Sequence, residues 1–325
     1  MQGKNVIRWM AAAAAGLCLC GGMSVWAEEE PIRVGSMTGP TSMGLVKLME
    51  DDSQGTSEND YDFTMVTTAD ELTALVANND LDIALVPANV ASILYSKTEQ
   101  GISVIDINTL GVLYMVSGDD SIDSLEALAG KTVYLTGKGT TPDYVLQYLL
   151  REAGLEDQVS LEYKSEATEV ASILAEDSSS IGLLPQPFAT TALAQNEELK
   201  LVMDLTQVWD ETVDPAGSRL VTGVTIVTKD FLEANPEAVD TFLEEHKASA
   251  EYTETNPEET AKLIVDAGIL ANENVAQQAL PYCSITCITG EEMQEALSGY
   301  LTVLYDMDGT TVGGALPEDD FYYQS

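Results

Sequence analysis

The sequence predicts an α/β fold of two lobes, each a mixed sheet based on a βαβαβ unit with flanking helices, joined by two hinge strands. Three observations lead to this prediction. Short apolar strands alternate with amphipathic helices, one segment recurs later in the chain at a fixed distance, and a β-branched strand with a helical tail follows the second copy. Alternating strands and helices are typical of parallel βαβ units.

The alternation runs through the first half of the chain. Short apolar stretches neighbour longer stretches whose apolar residues recur at helical spacing. The pairs are IRVGS (32–36) with TSMGLVKLME (41–50), ELTALVANN (71–79) with DIALVP (82–87), and KTVYLTG (131–137) with TPDYVLQYLLREAG (141–154). Parallel strands need such crossover helices, because the chain must return to its starting edge before the next strand begins.

An internal repeat divides this pattern into two copies. Gly137 lies 98 residues after Gly39, and at the same offset residues 69–91 align without gaps with residues 167–189. The identical pairs are Ala69/Ala167, Glu71/Glu169, Ala77/Ala175, Ile83/Ile181, Leu85/Leu183, Pro87/Pro185 and Ala91/Ala189. Because solenoid repeats are much shorter, a repeat of this length predicts one lobe followed by a second.

The chain after the second copy is expected to return to the first lobe. A β-branched strand lies in RLVTGVTIVTKDFL (219–232), and four helical segments follow it. We place the two crossings near LYMVSGDD (113–120) and between Val213 and Thr222. The predicted organisation is a signal peptide over residues 1–27, lobe one over residues 31–115 plus 222–325, and lobe two over residues 116–221.

The N-terminal stretch MQGKNVIRWMAAAAAGLCLCGGMSVWA has the form of a secretory signal. Lys4 and Arg8 precede an apolar run, which ends in a small-residue cleavage pattern at Ala27. A lipoprotein signal competes with cleavage after Ala27, because Cys20 stands before two glycines, although the residue preceding Cys20 is leucine. Both alternatives place the mature chain outside the cytoplasm, secreted or anchored at the outer face of the membrane.

The charge balance excludes several classes of partner. The chain carries 14 basic and 54 acidic residues, a formal net charge of −40. Loss of the signal removes two of those cations. Nucleic acids and anionic membranes attract cationic patches, so neither is an expected partner. A solvated extracellular surface accounts for the acidity.

Two cysteines lie beyond the predicted signal, in PYCSITC (281–287). Cys283 and Cys287 are expected to form a local disulfide or to remain two thiols. A zinc site would need two more ligands, and the only histidine, His246, lies in the charged helical run FLEEHKASAEY. No metal site is therefore predicted.

Catalytic and cofactor motifs are not recognisable. A Ser-His-Asp hydrolase would have to use His246, which we expect to be solvated. LAGKT (128–132) resembles part of a P-loop, but Leu125 occupies the place of its first glycine. We expect neither enzymatic activity nor a cofactor.

The candidate binding site begins with the turn that follows the first strand. In an open parallel sheet, ligands gather at the carboxyl ends of the strands, where helices present unpaired N–H groups. Gly39, Pro40, Thr41 and Ser42 lie at such an end. Glycine permits a tight bend, and Thr41 or Ser42 could cap the helix that follows.

The second copy repeats this turn. Gly139, Thr140 and Thr141 precede a helical run, with Thr141 as the expected N-cap and Pro142 at the first helical position. The two turns together are predicted to hold one ligand between the lobes.

Polar and aromatic residues near these turns complete the predicted site. Asn89 follows the proline of the first copy and Gln186 that of the second, and each side chain can donate and accept hydrogen bonds. The remaining candidates are Phe188, Tyr144 or Trp209 for stacking, Gly223 after the return crossing, and the cations Lys138 and Arg219. Because cations are scarce and the chain is acidic, a neutral or zwitterionic solute is favoured.

Several phrases resemble solute-binding proteins of bacterial ABC importers, in particular the nitrate, sulfonate and thiamine-precursor group. These phrases are MTGPTSMGLVKLM (37–49), DIALVPANVASILY (82–95), GKTVYLTGKGTTPDYVLQYLL (130–150), LPQPFATTAL (184–193) and DFLEANPEAVDTFLEEHKAS (230–249). The resemblance covers residues 32–305. It implies a type II periplasmic-binding fold that closes around its ligand by hinge motion.

The resemblance also implies site residues and partners. The matching loops place Thr41, Ser42, Asn89, Thr140, Thr141 and Gln186 in the cleft. A monomeric binding protein would deliver its solute to an ABC permease whose ATPase is a separate subunit. A sensory or adhesion domain with the same clamp, or a small enzyme on this fold, is the alternative. Related eukaryotic pyrimidine synthases use histidine and cysteine chemistry. This sequence differs from that pattern because it has a single histidine.

Overall fold

A computed structural model describes residues 30–212 and 218–324. The strands are β1 (Ile32–Met37), β2 (Tyr61–Val66), β3 (Ile83–Pro87), β4 (Ile102–Leu110), β5 (Leu113–Ser117), β6 (Thr132–Thr136), β7 (Ser160–Lys164), β8 (Ile181–Pro185), β9 (Lys200–Asp204), β10 (Val221–Thr228) and β11 (Ile285–Ile288). The α-helices are α1 (Pro40–Met43), α2 (Val46–Ser53), α3 (Ala69–Ala77), α4 (Ala88–Lys97), α5 (Thr141–Glu152), α6 (Ala167–Glu176), α7 (Phe188–Gln195), α8 (Leu205–Thr212), α9 (Lys229–Ala234), α10 (Pro236–Thr255), α11 (Pro257–Asp266), α12 (Glu273–Ala279) and α13 (Gly290–Met307).

The strands form two mixed sheets. The six-stranded sheet has the order β11-β4-β10-β3-β1-β2, and the five-stranded sheet has the order β7-β6-β8-β5-β9. We call the first sheet with its helices lobe one and the second sheet with its helices lobe two. The predicted two-lobed α/β class is confirmed.

The pairing registers show the duplication that the sequence repeat predicts. β1 pairs in parallel with β2 and β3, and β6 pairs in parallel with β7 and β8. The equivalent partners are Val34 with Phe63 and Ile83 in lobe one, and Val133 with Leu161 and Ile181 in lobe two. The second and third strands keep the 98-residue offset, whereas the first strand is offset by 99. The second copy therefore has one additional residue before β6 and one residue fewer between β6 and β7.

The chain leaves lobe one between β4 and β5. β4 ends at Leu110 and β5 begins at Leu113, and all of β5 lies in the five-stranded sheet. The predicted boundary at residues 115 and 116 thus falls inside β5, because that strand continues the apolar run without a composition change. The return to lobe one lies between the end of α8 and the start of β10, and residues 213–217 within it are outside the described part.

Within the helical tail, α10 and α13 pack on lobe one. α10 spans 20 residues and buries one stripe at helical spacing, made of Val239, Phe242, Leu243, His246, Ser249, Ala250 and Thr253. Close to the C-terminus, the fully buried ring of Phe321 contacts Tyr95 with 5.1 Å between ring centroids. The Tyr323 N–H donates to the Val104 carbonyl at 2.9 Å, so the end of the chain is tied to the β4 strand.

Within residues 30–212 and 218–324, no helix is both long and apolar enough to cross a bilayer. The predicted signal, with Ala27 and Cys20, lies outside the described residues.

Candidate functional site

The carboxyl ends of both parallel strand sets lie beside the connection between the lobes. Pro87, the last residue of β3, is in register with Gly223 at the start of β10. Pro185, the last residue of β8, is in register with Leu113 at the start of β5. Because β5 and β10 are the first strands after the two crossings, the turns that follow β1, β3, β6 and β8 lie at the lobe edges that meet at the hinge.

The lobe-one turn is held firmly by its surroundings. Gly39 has φ of 150° and precedes the four-residue helix α1. Thr41 is buried, and a Cβ on Gly223 would collide with its methyl group and with Asn108 Oδ1. The hydroxyl of the fully buried Ser42 donates to the Met37 carbonyl. The expected capping by Thr41 or Ser42 is wrong, because both lie inside α1 and Gly39 is its N-cap.

The lobe-two turn is more open. Gly139 and Thr140 are exposed, and Gly139 has φ of 75°. Thr140, not Thr141, is the N-cap of α5, and its hydroxyl donates to the Gly137 carbonyl at 2.5 Å instead of capping the helix. The predicted cap is therefore displaced by one residue, because α5 starts at Thr141 with Pro142 in its second position.

A buried carboxylate stabilises the lobe-two turn. Asp143 Oδ2 accepts the Gly139 N–H at 2.7 Å, and Oδ1 accepts from Gln147 at 2.5 Å and from the Tyr163 hydroxyl at 2.7 Å. Burial, followed by the hydrogen bond to Asp143, raises the pKa of Tyr163, so this hydroxyl remains a donor at neutral pH. The turn thus uses a side chain from the helix that it precedes.

The two predicted amide side chains differ in how well they are satisfied. Asn89 is half-buried, and its Nδ2 donates to the Thr311 carbonyl at 3.3 Å. Gln186 is 1% exposed, and its Oε1 accepts from the Thr190 hydroxyl at 2.8 Å. The Nε2 of Gln186 is buried and has no hydrogen-bond partner among the described residues. An unsatisfied buried donor costs about 1–3 kcal/mol, so this amide is the better candidate for a ligand contact.

The predicted aromatic residues lie in unlike environments. Phe188 is 39% exposed at the start of α7. Trp209 is fully buried, with its ring 5.4 Å from Tyr148 of lobe two and 5.7 Å from Tyr300 of lobe one, centroid to centroid. Trp209 therefore contacts both lobes, whereas Phe188 keeps an open ring edge.

α13 of lobe one meets the start of α5. Burial raises the pKa of Tyr300, and a hydrogen bond with Thr141 opposes that shift. One turn along α5, burial raises the pKa of Tyr144, and the neighbouring Asp308 adds to the effect. Thr141 is thus brought against Tyr300.

The predicted cations have partners outside the turns. Lys138 Nζ lies 5.2 Å from the centroid of the Tyr163 ring, and Arg219 Nε lies 3.5 Å from Asp210 Oδ1. Burial raises the pKa of Asp210, and the charge of Arg219 opposes the rise.

Two open cavities lie away from these turns. One of about 450 Å³ lies between Tyr95 and Leu316, and one of about 430 Å³ lies between β9 and Tyr282. None of the predicted ligand-binding residues lines either of them.

The sequence matches the family described as menaquinone biosynthesis over residues 40–306. The chain belongs to the menaquinone biosynthesis family. No functionally curated protein matches it.

Several solved structures are similar to this member of the menaquinone biosynthesis family. An ABC transporter protein from Parabacteroides distasonis is 24% identical, with a TM-score of 0.76, over 91% of this chain and 99% of that one. The periplasmic aliphatic sulphonate binding protein SsuA from Escherichia coli is 14% identical, with a TM-score of 0.70, over 91% and 92%. The alkanesulfonate-binding protein SsuA from Xanthomonas axonopodis pv. citri, bound to MOPS, is 13% identical, with a TM-score of 0.61, over 90% and 96%. These likenesses confirm the resemblance in fold.

This family member also contains a buried polar chain that the sequence analysis missed. Asp106 Oδ1 accepts from the Thr225 hydroxyl at 2.8 Å, and Asp106 Oδ2 lies 3.0 Å from His246 Nδ1. Asn108 Nδ2 donates to Thr225 Oγ1 at 3.2 Å, and the Thr109 hydroxyl donates to Asn108 at 2.9 Å. All five residues are buried in lobe one.

The expectation that His246 is solvated is wrong. His246 has 0% exposure and lies on the buried stripe of α10, three residues before Ser249 and four after Phe242. The sequence contained this signal, because the apolar residues of α10 recur at three- and four-residue spacing and His246 falls in that series. The charged neighbours on the outer face concealed it.

Cys283 and Cys287 are free thiols, so the predicted disulfide between them is not formed. Cys283 is fully buried, its thiol lies 3.3 Å from the Ala279 carbonyl, and burial raises its pKa to about 12. Cys287 lies beside Asp106 and His246, and one ligand atom from each of these three residues lies within 4.8 Å of the others. Burial raises the pKa of Cys287, and the charge of Asp106 adds to this effect.

Proposed function

We propose that this protein captures a small polar metabolite between its lobes outside the cytoplasm and delivers it to the permease of an ABC importer. The observation that supports the proposal is the strand register, in which the ends of β3 and β8 pair with β10 and β5, the first strands after the two crossings. The signal-like N-terminus supports the location.

The proposed mechanism is closure of the two lobes on the ligand. A ligand that contacts one lobe is held weakly, and contacts from both lobes exist only when the cleft is shut. Ligand therefore favours the closed state by its difference in affinity for the two states. Trp209 contacts Tyr148 and Tyr300 from opposite lobes, so its surroundings change with closure.

The residues near the turns favour a neutral or zwitterionic solute. The Gln186 amide, whose Nε2 has no partner among the described residues, offers hydrogen bonds without net charge. Phe188 offers an exposed ring on which a flat heterocycle could stack. The two nearby cations are already engaged with Tyr163 and Asp210.

A second candidate function is an enzyme step on a menaquinone precursor, which the family match over residues 40–306 favours. Both functions use the same cleft. They differ in one observable, because a binding protein returns its ligand unchanged whereas an enzyme converts it.

Trp209 emission is the direct test of capture. The chain without residues 1–27 has Trp209 as its single tryptophan. We expect one class among alkanesulfonates, nitrate, amino acids, thiamine pyrimidines and menaquinone precursors to shift this emission saturably, with calorimetry confirming one site. Mass spectrometry of each responding mixture then decides between binding and turnover. Conversion of the ligand, or no response from any class, contradicts the transport proposal.

Two substitutions test the site itself. Thr41→Val keeps a methyl group beside Gly223 and removes the hydroxyl. Thr141→Val removes the hydroxyl that contacts Tyr300. Each substitution is expected to weaken the affinity for a confirmed ligand by about 10-fold, which corresponds to the loss of one hydrogen bond. Thr168→Val on the exposed face of α6 is the matched control. Unchanged affinity in both cleft variants contradicts the site.

A further inference from the structure

We propose that Asp106, His246 and Cys287 form a binding site for a divalent transition metal ion, Zn²⁺ in the first place, inside lobe one. This inference does not rest on the proposed transport function.

The three residues come from separate elements that the fold brings together. Asp106 lies on β4, His246 on α10 and Cys287 on β11, and β11 pairs with β4. One ligand atom from each residue lies within 4.8 Å of the other two, and the Asp106 oxygen is 3.0 Å from His246 Nδ1. Tetrahedral zinc, with bonds of about 2.0–2.3 Å, needs ligand atoms about 3.3–3.8 Å apart. A small adjustment of side chains therefore suffices.

The donor set suits zinc chemically. Thiolate, imidazole and carboxylate are the three protein ligands that zinc takes, and a fourth position is left for water. Two of the three residues are fully buried, and Cys287 is half-buried, which leaves a path of entry. A divalent ion would compensate the charges of a buried carboxylate and thiolate, which are otherwise expensive to desolvate.

Neighbouring groups orient these ligands as metal sites require. The Thr225 hydroxyl holds the second oxygen of Asp106 at 2.8 Å, and Asn108 in turn holds Thr225. Hydrogen bonds of this kind fix the ligand geometry and tune affinity. The buried His246 Nε2 has no hydrogen-bond partner among the described residues, so the protein's own hydrogen bonds use only Nδ1 of this ring.

A catalytic thiol relay does not explain the same cluster. In a Cys-His-Asp relay, the thiol and the carboxylate approach opposite nitrogens of the ring, which separates them by more than the length of the imidazole. Here one ligand atom from each of Cys287, Asp106 and His246 lies within 4.8 Å of the other two, so the thiol is close to the carboxylate as well as to the ring. The arrangement converges on a point, as coordination requires.

The proposed site lies beneath the cleft side of lobe one. Asp106 is two residues from Asn108 along β4, and Thr225 is two residues from Gly223 along β10. At strand spacing this places the metal about 7 Å below the contact of Thr41 with Gly223 and Asn108. A bound ion would stiffen the floor of the cleft.

Cobalt(II) titration tests the proposal. The chain without residues 1–27, treated with chelator and kept reduced, is titrated with Co²⁺ and then with Zn²⁺. We expect one Co²⁺ per chain, tetrahedral ligand-field bands, a thiolate-to-cobalt charge-transfer band, and loss of all bands on adding Zn²⁺. A spectrum of hydrated octahedral cobalt, or no uptake at micromolar metal, overturns the proposal.

The two cysteines provide a matched pair of variants. Cys287→Ser should abolish the charge-transfer band and lower the affinity for Zn²⁺ by at least 10-fold. Cys283→Ser should change neither the band nor the affinity. Thr225→Val should lower the affinity for Zn²⁺ by about 10-fold and keep the charge-transfer band, because it removes only a supporting hydrogen bond. Circular dichroism checks that each variant is folded, and Cys287 is chosen because it is the least buried ligand. Equal loss in both cysteine variants contradicts the site.

Discussion

Asp106 and Asp143 are the two carboxylates that are buried in the described part of the chain, one in each lobe. Asp106 lies within a central strand of lobe one and contacts Thr225 and His246 from two other elements. Asp143 lies in the first turn of a lobe-two helix and contacts groups on its own helix, the preceding turn and one strand.

The comparison shows that the two lobes support their turns in different ways. In lobe one the polar groups are internal, and the turn at Gly39 is held by the buried Thr41 and Ser42. In lobe two the buried carboxylate of Asp143, in the first turn of α5, supports an exposed glycine turn. Lobe one thus holds its turn with buried side chains, whereas lobe two leaves Gly139 and Thr140 of its turn exposed.

Removing the lobe-one carboxylate should have the largest effect. Asp106→Ala leaves the buried Thr225 hydroxyl and His246 Nδ1 without their shared acceptor. We expect the free energy of unfolding to fall by about 4 kcal/mol, as when one partner of a buried pair is removed. Urea denaturation measures it. A loss no greater than that of Asp143→Ala would remove the distinction between the lobes.

The stability costs of substituting Gly223 in lobe one and Gly139 in lobe two should differ in the same direction as those of the two carboxylates. Gly223→Ala places a methyl group against Thr41 and Asn108 and should cost about 3 kcal/mol by overpacking. Gly139→Ala meets nothing closer than Tyr144 Oη at 3.8 Å, so only its φ of 75° is costly, about 1 kcal/mol. Thermal unfolding compares the two. Equal costs would show that both turns are equally confined.

Removing the lobe-two carboxylate should act on the turn more than on the fold. Asp143→Ala frees the Gly139 N–H and the Tyr163 hydroxyl, with an expected loss of about 2 kcal/mol. Hydrogen exchange should speed up at residues 137–141 while the β6 amides stay protected. Asp143→Asn keeps one of the two acceptor oxygens and should therefore have a smaller effect. Faster exchange throughout the five-stranded sheet would contradict a local role.

An exposed carboxylate completes the comparison with the smallest effect. Asp320 accepts from Lys229 at 2.5 Å and from the Tyr95 hydroxyl, and these bonds hold the pKa of Asp320 below its usual value. A lowered folded-state pKa contributes stability above the unfolded pKa of about 4 and loses it as the pH falls through the folded value. Asp320→Asn should therefore lower the Tm at neutral pH and match the original protein at strongly acidic pH. A constant difference across that range would refute the linkage.

The sequence predicted the fold well because its signals are local. The periodicity that predicts α10 spans the residues Pro236–Thr255 that form it, and the repeat of residues 69–91 returns as α6 and β8. The site was less accessible. Thr41, Thr141 and Gln186 lie at the edges that meet at the hinge, but the capping roles were misplaced and His246 was judged from its charged neighbours. Caps depend on where a helix begins to within one residue, which composition does not specify.

By itself the sequence determined the alternation of strands and helices, the duplication of the lobes and the acidic surface, because each depends on residues close in the chain or on a simple count. Only the tertiary structure decided that Trp209 contacts both lobes and that Asp106, His246 and Cys287 converge. Asp106 and His246 are 140 positions apart. Their contact exists only after β4, α10 and β11 have packed, because no local pattern encodes which distant side chains share one buried volume.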